Sequence, residues 1–563
     1  MAVSTWSTFD RFGWAIALLA GLASAFAFEP AGLWPLMFLA FAILCALVGR
    51  APSLKRALLL GWLFGVGQFV VGLNWIATAF TYQAAMPAWL GWIAVVLLSL
   101  YLAVYPMLAA GLAWRFGKAR PVALVLALAG GWGVTEWLRA TMFTGFAWNP
   151  VGVALIDTPW RASSALIGTY SLSMLVVLFG GALWLALRGN WRAPLAIAGS
   201  AALLLAWPLP PVPDHCCLKI FDASGATIPP PPAPPPTPRA GNEPPPPVMS
   251  AEEQRRYLLD NQVFQNVRVV QPNIGQEDKW RPGFGEVAAR RLAQLSARSA
   301  QDSPRLLLWP EAAVTEPLED ARTAEHQAFA EFERTRAASL LRGGDLLLTG
   351  GISLASSDGR KVTAAANSVF MIDSSGKLIG RYDKAHLVPY GEYLPMRPLL
   401  SAIGLSRLAP GDVDFNPGPG PRTLATPGFG KVGFQLCYEI IFSGQVVDPR
   451  NRPDFIFNPS NDAWFGRWGP PQHLAMARLR AAEEGLPVIR STPTGISAII
   501  DARGRLVKAL PWRTAGVIDS GLPAAAEPTL FAKLGNLIPL LLGFALIIAA
   551  IALGAGRRYR RDI

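Results

Sequence analysis

The sequence predicts a mixed fold, in which a multi-span α-helical membrane domain is joined to a water-exposed α/β domain. Charged residues make up only 16% of the 563 residues and apolar residues 52%, whereas soluble chains average roughly 25% charged residues. Long apolar runs fill the first part of the chain, and a later part alternates short apolar strands with helical stretches. The composition argues against a wholly soluble protein, and its many large apolar side chains exclude a wholly disordered one.

The membrane domain is predicted over residues 1–208, with about seven transmembrane helices. A spanning helix needs about 20 apolar residues, because lipid offers no partner to an unpaired backbone group. No A-x-A cleavage site followed by polar sequence comes after the first run, so we expect a retained anchor. The predicted spans are 13–28, 33–48, 57–80, 89–113, 122–136, 166–187 and 194–207, and an eighth, 534–553, lies in a C-terminal part, 526–563, that ends in a basic tail.

Basic residues lie in alternate loops, which predicts the orientation. The loops between spans one and two and between three and four contain no Lys or Arg. By the positive-inside rule, both termini are expected in the cytoplasm and the segment from about 208 to 533 outside it. This placement explains much of the net charge of +12 without nucleic acid. The basic residues of these alternate loops and of the C-terminal tail are Arg50, Lys55, Arg56, Arg115, Lys118, Arg120, Arg188, Arg192, Arg557, Arg558, Arg560 and Arg561.

The loop between the fifth and sixth spans, residues 141–150 (TMFTGFAWNP), is rich in aromatic residues. Such a loop is typical of an aromatic belt at the membrane interface. It could instead form the floor of a site at the membrane surface. The sequence leaves both interpretations open.

Residues 209–262 are predicted to be a proline-rich linker or insert, since IPPPPAPPPTPRAGNEPPPP cannot bury a core and favours extended polyproline conformations. Two adjacent cysteines, Cys216 and Cys217, precede the prolines and could pair with another thiol or carry a lipid. The four cysteines of the chain do not indicate a disulfide framework.

The α/β domain is predicted over residues 263–525. Buried strands that alternate with helices indicate sheets covered by helices. Helices are predicted at 285–300 and 324–341. The predicted strands are 267–273, 305–311, 345–351, 368–373, 431–439, 454–460, 486–492 and 497–501.

Three residues at the ends of apolar segments could together form a nucleophile system. Glu311 follows LLLWP, Lys384 lies in RYDKAHLVPYGEYLP, and Cys437 lies in KVGFQLCYEIIF. Each alone has an ordinary structural explanation: a solvated or capping carboxylate, a surface lysine and a small buried thiol. Together, the carboxylate could take the thiol proton, and the ammonium could stabilise a thiolate and an oxyanion.

The WPE, YDKAHLVPYGEYLP and CYE segments resemble the Glu–Lys–Cys catalytic set of the carbon–nitrogen hydrolase (nitrilase) superfamily. With the membrane spans and the segment NPSNDAWFG, nearly the whole chain resembles the apolipoprotein N-acyltransferase family. The resemblance implies an extracytoplasmic, nitrilase-like αββα sandwich. It also implies transfer of an acyl chain from a membrane glycerophospholipid, through a cysteine thioester, to the N-terminal α-amine of diacylglyceryl-cysteine apolipoproteins.

The resemblance also implies roles for residues at matching positions. Cys437 matches the nucleophile, Glu311 the general base, and Lys384 the cation that stabilises the oxyanion. The other matching positions are expected to support these three or to line the substrate site: Trp280, Glu392, Tyr438, Glu439 and Trp464.

The expected partners are a phospholipid donor and an apolipoprotein acceptor, at a bacterial inner membrane with the catalytic domain on the periplasmic side. No cofactor, metal or nucleic acid is expected, because four scattered histidines form no ligand cluster and no glycine-rich nucleotide motif is present. His386 and His473 are expected to pack or to form hydrogen bonds rather than to act on the thiol.

Two other functions remain open from the sequence. A membrane-anchored amidase of the nitrilase type would use the same three residues with water as the acyl acceptor. A transporter or scaffold with an inert exterior domain would carry intramembrane charges along a pathway, and these spans contain few. The apolar segment 393–411 could be a mobile arm on the membrane or an ordinary packed loop.

Overall fold

The computed structural model describes residues 12–82, 86–212, 266–279, 281, 283–297, 304–402, 404, 406–408 and 413–555. The predicted proline-rich insert with Cys216 and Cys217, the predicted site residue Trp280 and the basic tail from Arg557 onward lie outside these residues. The predictions made for them stay predictions.

Every predicted membrane span that precedes the insert corresponds to apolar helical structure. The helices are α1 (Gly13–Ser24), α2 (Pro35–Arg50), α3 (Leu54–Gly72), α4 (Trp75–Ala79), α5 (Leu90–Leu102), α6 (Val104–Gly117), α7 (Pro121–Thr141), α8 (Ser164–Leu187) and α9 (Arg192–Ala206). Short 3₁₀ turns at Val151–Leu155 and Pro159–Ser163 connect α7 to α8.

Five of the described helical segments are long and apolar enough to cross a membrane: α3, the consecutive α5 and α6, α7, the segment that includes α8, and the C-terminal helix α16 (Leu537–Ala555). Helices α1, α2 and α9 are apolar but shorter. The predicted fourth span is interrupted between Leu102 and Val104, because Pro106 has no N–H to donate to the carbonyl of Leu102.

Glycines allow the membrane helices to approach each other closely. A Cβ atom on Gly21 of α1 would lie 2.0 Å from the carbonyl oxygen of Phe64 in α3, and one on Gly67 of α3 would lie 2.4 Å from that of Leu18 in α1. Lipid gives no hydrophobic drive for helix association, so close backbone contact between small residues is what stabilises such a crossing.

The second half of the described chain forms two β-sheets. The first sheet has the strand order β13–β1–β2–β4–β5–β6, with β3 also paired to β4, and the second has the order β12–β11–β10–β9–β8–β7. The strands are β1 (Asn266–Gln271), β2 (Arg305–Leu308), β3 (Pro317–Asp320), β4 (Leu346–Ala355), β5 (Ala364–Asp373), β6 (Leu378–Asp383), β7 (Thr423–Thr426), β8 (Gly430–Phe434), β9 (Phe455–Pro459), β10 (Val488–Ser491), β11 (Ala498–Ile500), β12 (Leu506–Ala509) and β13 (Gly516–Gly521).

The two sheets pack face to face, and helices cover their outer faces. Alternate side chains from both sheets, among them Val269 and Phe457, form one buried cluster between them. The remaining helices are α10 (Gln276–Lys279), α11 (Phe284–Ser296), α12 (Ala324–Ala338), α13 (Arg397–Ala402), α14 (Gly469–Glu484) and α15 (Leu530–Leu534). Helices α11 and α12 cover the first sheet and α14 lies against the second. This arrangement confirms the predicted αββα sandwich.

Helix α14 also joins the sandwich to the membrane helices. Its residues Ala475 and Leu479 belong to the same buried cluster as Leu172 of α8 and Trp148 of the loop 141–150. The apolar core therefore continues from the helical domain into the α/β domain. Helix α14 is buried on nearly all sides, so it lacks the one-sided apolar periodicity by which a surface helix is recognised in a sequence.

Candidate active site

The three predicted catalytic residues lie just after strands that run to one end of the sandwich. Glu311 follows β2 and Lys384 follows β6, both in the first sheet, whereas Cys437 follows β8 of the second sheet. Their side chains are buried, with exposed fractions of 6%, 1% and 5%. Cys437 was predicted within a strand, but β8 ends at Phe434 and Cys437 begins a 3₁₀ turn, Cys437–Ile441.

Lys384 lies between two carboxylates. Its Nζ is 3.0 Å from Glu392 and 3.7 Å from Oε1 of Glu311. Burial alone would lower the pKa of Lys384, but the carboxylates of Glu392 and Glu311 outweigh burial and raise the pKa above its usual range. The ammonium therefore keeps its charge at neutral pH.

Asn367 bridges the carboxylates of Glu311 and Glu392. Sequence reasoning did not identify it. Its Nδ2 donates hydrogen bonds to Oε1 of Glu311 at 2.8 Å and to Oε1 of Glu392 at 2.7 Å. Its one sequence signal is a polar amide inside the apolar strand β5. A carboxamide suits this place, because it offers two N–H donors to two acceptors that would otherwise repel each other.

The thiol of Cys437 is protonated at rest. Burial and the negative charge of Glu311 raise the pKa of Cys437 well above its ordinary value, and the opposing effect of Lys384 is smaller. Oε2 of Glu311 has no hydrogen-bond partner within the described part of the chain. The site thus combines a neutral thiol, a carboxylate oxygen free to accept a proton, and a fixed cation.

Glu439 connects the turn of Cys437 to the segment of Lys384. Its carboxylate accepts hydrogen bonds from the N–H groups of Ala385 (2.7 Å), His386 (3.0 Å) and Leu436 (2.7 Å), and from the hydroxyl of Tyr382 (2.8 Å). This carboxylate therefore fixes the position of the lysine relative to the thiol.

Tyr438 connects the site to the membrane domain. Its side chain is buried, and its hydroxyl donates a hydrogen bond of 3.3 Å to the carbonyl of Gly145 in the loop 141–150. The ring lies edge-on to those of His386 and Phe442. Trp464 lies farther along the same junction, half-buried in a 3₁₀ turn, with its ring 6.0 Å from that of Tyr82.

The loop 141–150 lies beneath the site. Trp148 is fully buried and donates a hydrogen bond of 2.7 Å from Nε1 to Gln472 of α14. Its ring lies 5.3 Å from that of His473, with the two planes tilted by 38°. The carbonyl of Trp148 accepts a hydrogen bond of 2.8 Å from Arg139 of α7. These contacts favour the interpretation of this loop as a floor, although Phe143 at its tip is 83% exposed.

The two histidines form hydrogen bonds to backbone carbonyls, as expected from the sequence. Nε2 of His386 lies 2.7 Å from the carbonyl of Thr144, and Nε2 of His473 lies 3.0 Å from that of Cys437. Two residues contact the other ring nitrogen of His473: Asp462 and Arg490. Sequence reasoning missed both. Across the described residues, no group of three or more His, Cys, Asp or Glu side chains could hold a metal ion.

Two family models match the chain. Residues 20–182 match the apolipoprotein N-acyltransferase N-terminal domain, and residues 266–527 match the carbon-nitrogen hydrolase domain. The first match runs from within α1 to within α8 and leaves out α9, and the second covers the whole sandwich.

Curated relatives are similar over almost the full length. The apolipoprotein N-acyltransferase of Rhodopseudomonas palustris is 34% identical over 93% of each chain. That of Bradyrhizobium diazoefficiens is 34% identical over 97% of this chain and 96% of its own. A solved structure of a nitrilase-superfamily protein from Saccharomyces cerevisiae aligns with 46% of this chain and 89% of its own, at 20% identity and a TM-score of 0.34.

Proposed function

Because the chain belongs to the apolipoprotein N-acyltransferase family, we propose that it is an acyltransferase that N-acylates lipoproteins at a membrane. Its donor is a membrane glycerophospholipid and its acceptor is the N-terminal α-amine of a diacylglyceryl-cysteine apolipoprotein. The observation that carries the mechanism is the packing of Lys384 against Glu311 and Glu392 in the same buried site as the thiol of Cys437.

In the first step, the sulfur of Cys437 attacks an ester carbonyl of the phospholipid. Glu311 takes the thiol proton through its free oxygen, and Lys384, with the backbone N–H of Tyr438, stabilises the oxyanion. The carbon–oxygen bond to glycerol then breaks, and Glu311 returns the proton to the leaving alkoxide. The products are an acyl-thioester on Cys437 and a lysophospholipid.

In the second step, the neutral α-amine of the acceptor attacks the thioester carbonyl. An N–C bond forms, the S–C bond breaks, and the amine proton passes through Glu311 to the departing sulfur. The products are an amide and the free thiol. A thioester lies above an amide in free energy, so the transfer needs no nucleotide. Two steps suit two lipid substrates that occupy the site in turn.

The position of the site fits lipid substrates. Each methylene of an acyl chain costs about 0.8 kcal/mol to expose to water, and the site adjoins the membrane helices through the loop 141–150 and Tyr438. Met396, just before α13, and Leu399, within it, are 66% and 61% exposed, which suits contact of the segment 393–411 with lipid. Trp280 and Trp464 remain our candidates for lining the substrate pocket.

We further propose that the α/β domain faces the periplasm from a bacterial inner membrane and that both termini are cytoplasmic. The alternation of basic and uncharged loops supports this orientation. We keep 1–208, 209–262, 263–525 and 526–563 as the proposed membrane domain, insert, catalytic domain and C-terminal anchor.

The test is mass spectrometry of the Cys437 peptide after the full chain, in detergent, is incubated with phosphatidylethanolamine or phosphatidylglycerol. We expect a hydroxylamine-sensitive acyl adduct that a diacylglyceryl-cysteine peptide discharges as an amide. The Cys437→Ala variant is expected to form no acyl amide, whereas Cys45→Ala, which removes another buried thiol, is the matched control.

Two results would contradict the proposal. Discharge of the adduct by water at the same rate with and without the lipopeptide would indicate an amidase or esterase. Failure of the unaltered protein to form an adduct with either phospholipid would favour an inert binding domain.

A further inference from the structure

The backbone of Cys437 adopts a conformation that an L-residue rarely occupies. Its φ is +52°, in the left-handed region. Placing a residue other than glycine in this conformation costs on the order of 1–3 kcal/mol of folding free energy. Such a conformation persists only where the surrounding contacts hold it. The contacts on the peptide between Cys437 and Tyr438 therefore determine how the nucleophile is presented.

One of these contacts is a hydrogen bond from a buried histidine. Nε2 of His473 lies 3.0 Å from the carbonyl oxygen of Cys437, and His473 itself is fully buried in α14. This nitrogen faces a carbonyl, which can only accept a hydrogen bond. The Nε2 atom must therefore carry the proton.

The other nitrogen of His473 is held by a buried ion pair. Nδ1 lies 3.0 Å from Nη2 of Arg490 and 2.9 Å from Oδ1 of Asp462, and the same Nη2 contacts both carboxylate oxygens at 2.7 Å. Burial and the charge of Arg490 lower the pKa of His473. In a neutral ring with its proton on Nε2, Nδ1 accepts from Nη2 of Arg490 and cannot donate to Asp462. Asp462 therefore fixes the ring through Arg490, whose Nη2 it also binds.

The planar peptide transmits this orientation to the reaction. In a trans peptide the C=O and the following N–H point in opposite directions. A donor that holds the carbonyl of Cys437 on one side therefore directs the N–H of Tyr438 to the other side. We infer that His473, held by Arg490 and Asp462, is a positioning residue that aims this N–H at the developing oxyanion. The inference rests on the proposed acyl transfer.

His473 does not act as the base in this arrangement. Its Nε2 proton is engaged by a carbonyl, and neither nitrogen is placed against the sulfur. Removal of His473 should therefore impair a reaction that develops an oxyanion and spare a reaction that needs only the thiolate. Acylation by an ester is of the first kind, and alkylation by iodoacetamide is of the second.

The experiment compares His473→Leu with His473→Gln in the full chain. Acyl-adduct formation is measured against phospholipid concentration, and alkylation of Cys437 by iodoacetamide is measured without lipid. Loss of a whole oxyanion donor costs about 10²–10³ in kcat, so we expect misorientation by His473→Leu to lower kcat for acylation by about 10- to 100-fold. The KM for phospholipid and the alkylation rate should change by no more than about twofold. His473→Gln, whose amide can donate to the same carbonyl, should recover most of the loss.

Further variants guard against a general folding effect. Ser443→Ala removes a different buried hydrogen bond, 2.8 Å long, from Ser443 to Glu483 near the same turn, and should leave both rates unchanged. Arg490→Lys keeps the positive charge but weakens the contact with Nδ1 of His473. It should lower the acylation rate selectively, by less than His473→Leu does.

Acylation by His473→Leu at the unaltered rate, or an equal loss of acylation and alkylation, would overturn the inference. An unaltered protein that forms no acyl adduct would contradict the proposed function, and the inference with it, so the two failures are distinguishable.

Discussion

The surroundings of Cys437, the proposed nucleophile, favour the unreactive, protonated form of its thiol. Its pKa is raised by burial and by Glu311, and Lys384 compensates only in part. A thiol of this kind is not a preformed thiolate. In the proposed mechanism it gives up its proton as the carbonyl is attacked. Glu311, whose charge suppresses the thiolate, is then also the proposed base that accepts the proton.

This arrangement predicts opposite effects of Glu311→Gln on two reactions of the same sulfur. Loss of the carboxylate charge lowers the pKa of Cys437, so alkylation by iodoacetamide at about pH 7 should become faster, because the thiolate is the alkylated form. Acyl transfer should fall below detection, because no base remains. In the unaltered protein, alkylation should rise about tenfold per pH unit without a plateau up to about pH 9.

Both rates are read by mass spectrometry of the Cys437 peptide. Glu319→Gln, which removes a carboxylate of the same sheet on the half-exposed strand β3, is the control and should change neither rate. Slower alkylation in Glu311→Gln would mean that the carboxylate activates the resting thiol, contrary to the raised pKa.

Helix α8 is bent where the α/β domain meets it. Gly168 has φ of +73° inside the helix, and a Cβ atom there would lie 2.2 Å from the ring of Phe531. Phe531 belongs to α15, the short helix before the C-terminal anchor α16. The bend thus lets an aromatic side chain from near the end of the chain pack against α8 where the two domains meet.

Gly168→Ala is therefore expected to destabilise the protein. The positive φ and the clash with Phe531 should together cost about 1–3 kcal/mol of unfolding free energy, observed as a lower melting temperature in detergent. Gly199→Ala in α9 is the matched control, because no atom lies within 4 Å of its added Cβ. It should be neutral or stabilising, by at most about 1 kcal/mol. Equal melting temperatures for the two variants would show that the bend does not depend on glycine.

At the scale of the whole molecule, a buried polar cluster joins the helical domain to the α/β domain. Oε1 of Glu483 in α14 accepts hydrogen bonds of 2.6 Å from both the N–H and the hydroxyl of Thr169 in α8, and one of 2.8 Å from Ser443. The guanidinium of Arg480 lies 2.8 Å from Oε2 of Glu483 and donates to the carbonyl of Ile441. Both charged side chains are buried, so neither can turn to water if the other is removed.

Glu483→Ala should destabilise the protein strongly, because it removes the ion-pair partner of the buried Arg480 and leaves the N–H of Thr169 without an acceptor. Breaking a buried pair in this way costs about 3–5 kcal/mol, which should appear as a large fall in melting temperature. Asp519→Asn is the control, since its ion pair with Arg268 leaves the Asp519 side chain 56% exposed, and such surface pairs contribute about 1 kcal/mol or less. A loss no greater than that of the control would show that the domains are held by apolar packing alone.

Runs of apolar residues in the sequence predicted the helices and strands that bury a continuous apolar segment. Apolar runs identified the membrane helices, and short apolar strands identified β1, β2, β4, β5, β8, β9, β10 and β11. The less apolar strands β3, β6, β7, β12 and β13 escaped, because β12 is wholly exposed and the others are short or mixed in burial. Helix α14 escaped because a helix buried on all sides has no polar face to mark its period.

The sequence by itself determined which residue types could do the chemistry, since Glu311, Lys384 and Cys437 follow apolar segments in recognisable motifs. Only the tertiary structure decided which side chains contact them. Asn367 is identifiable as the bridge between Glu311 and Glu392, and His473 as the donor to the carbonyl of Cys437, once distant strands and helices are packed together. Hydrogen bonds between residues far apart in the chain leave no periodic trace in it, whereas burial of apolar segments does.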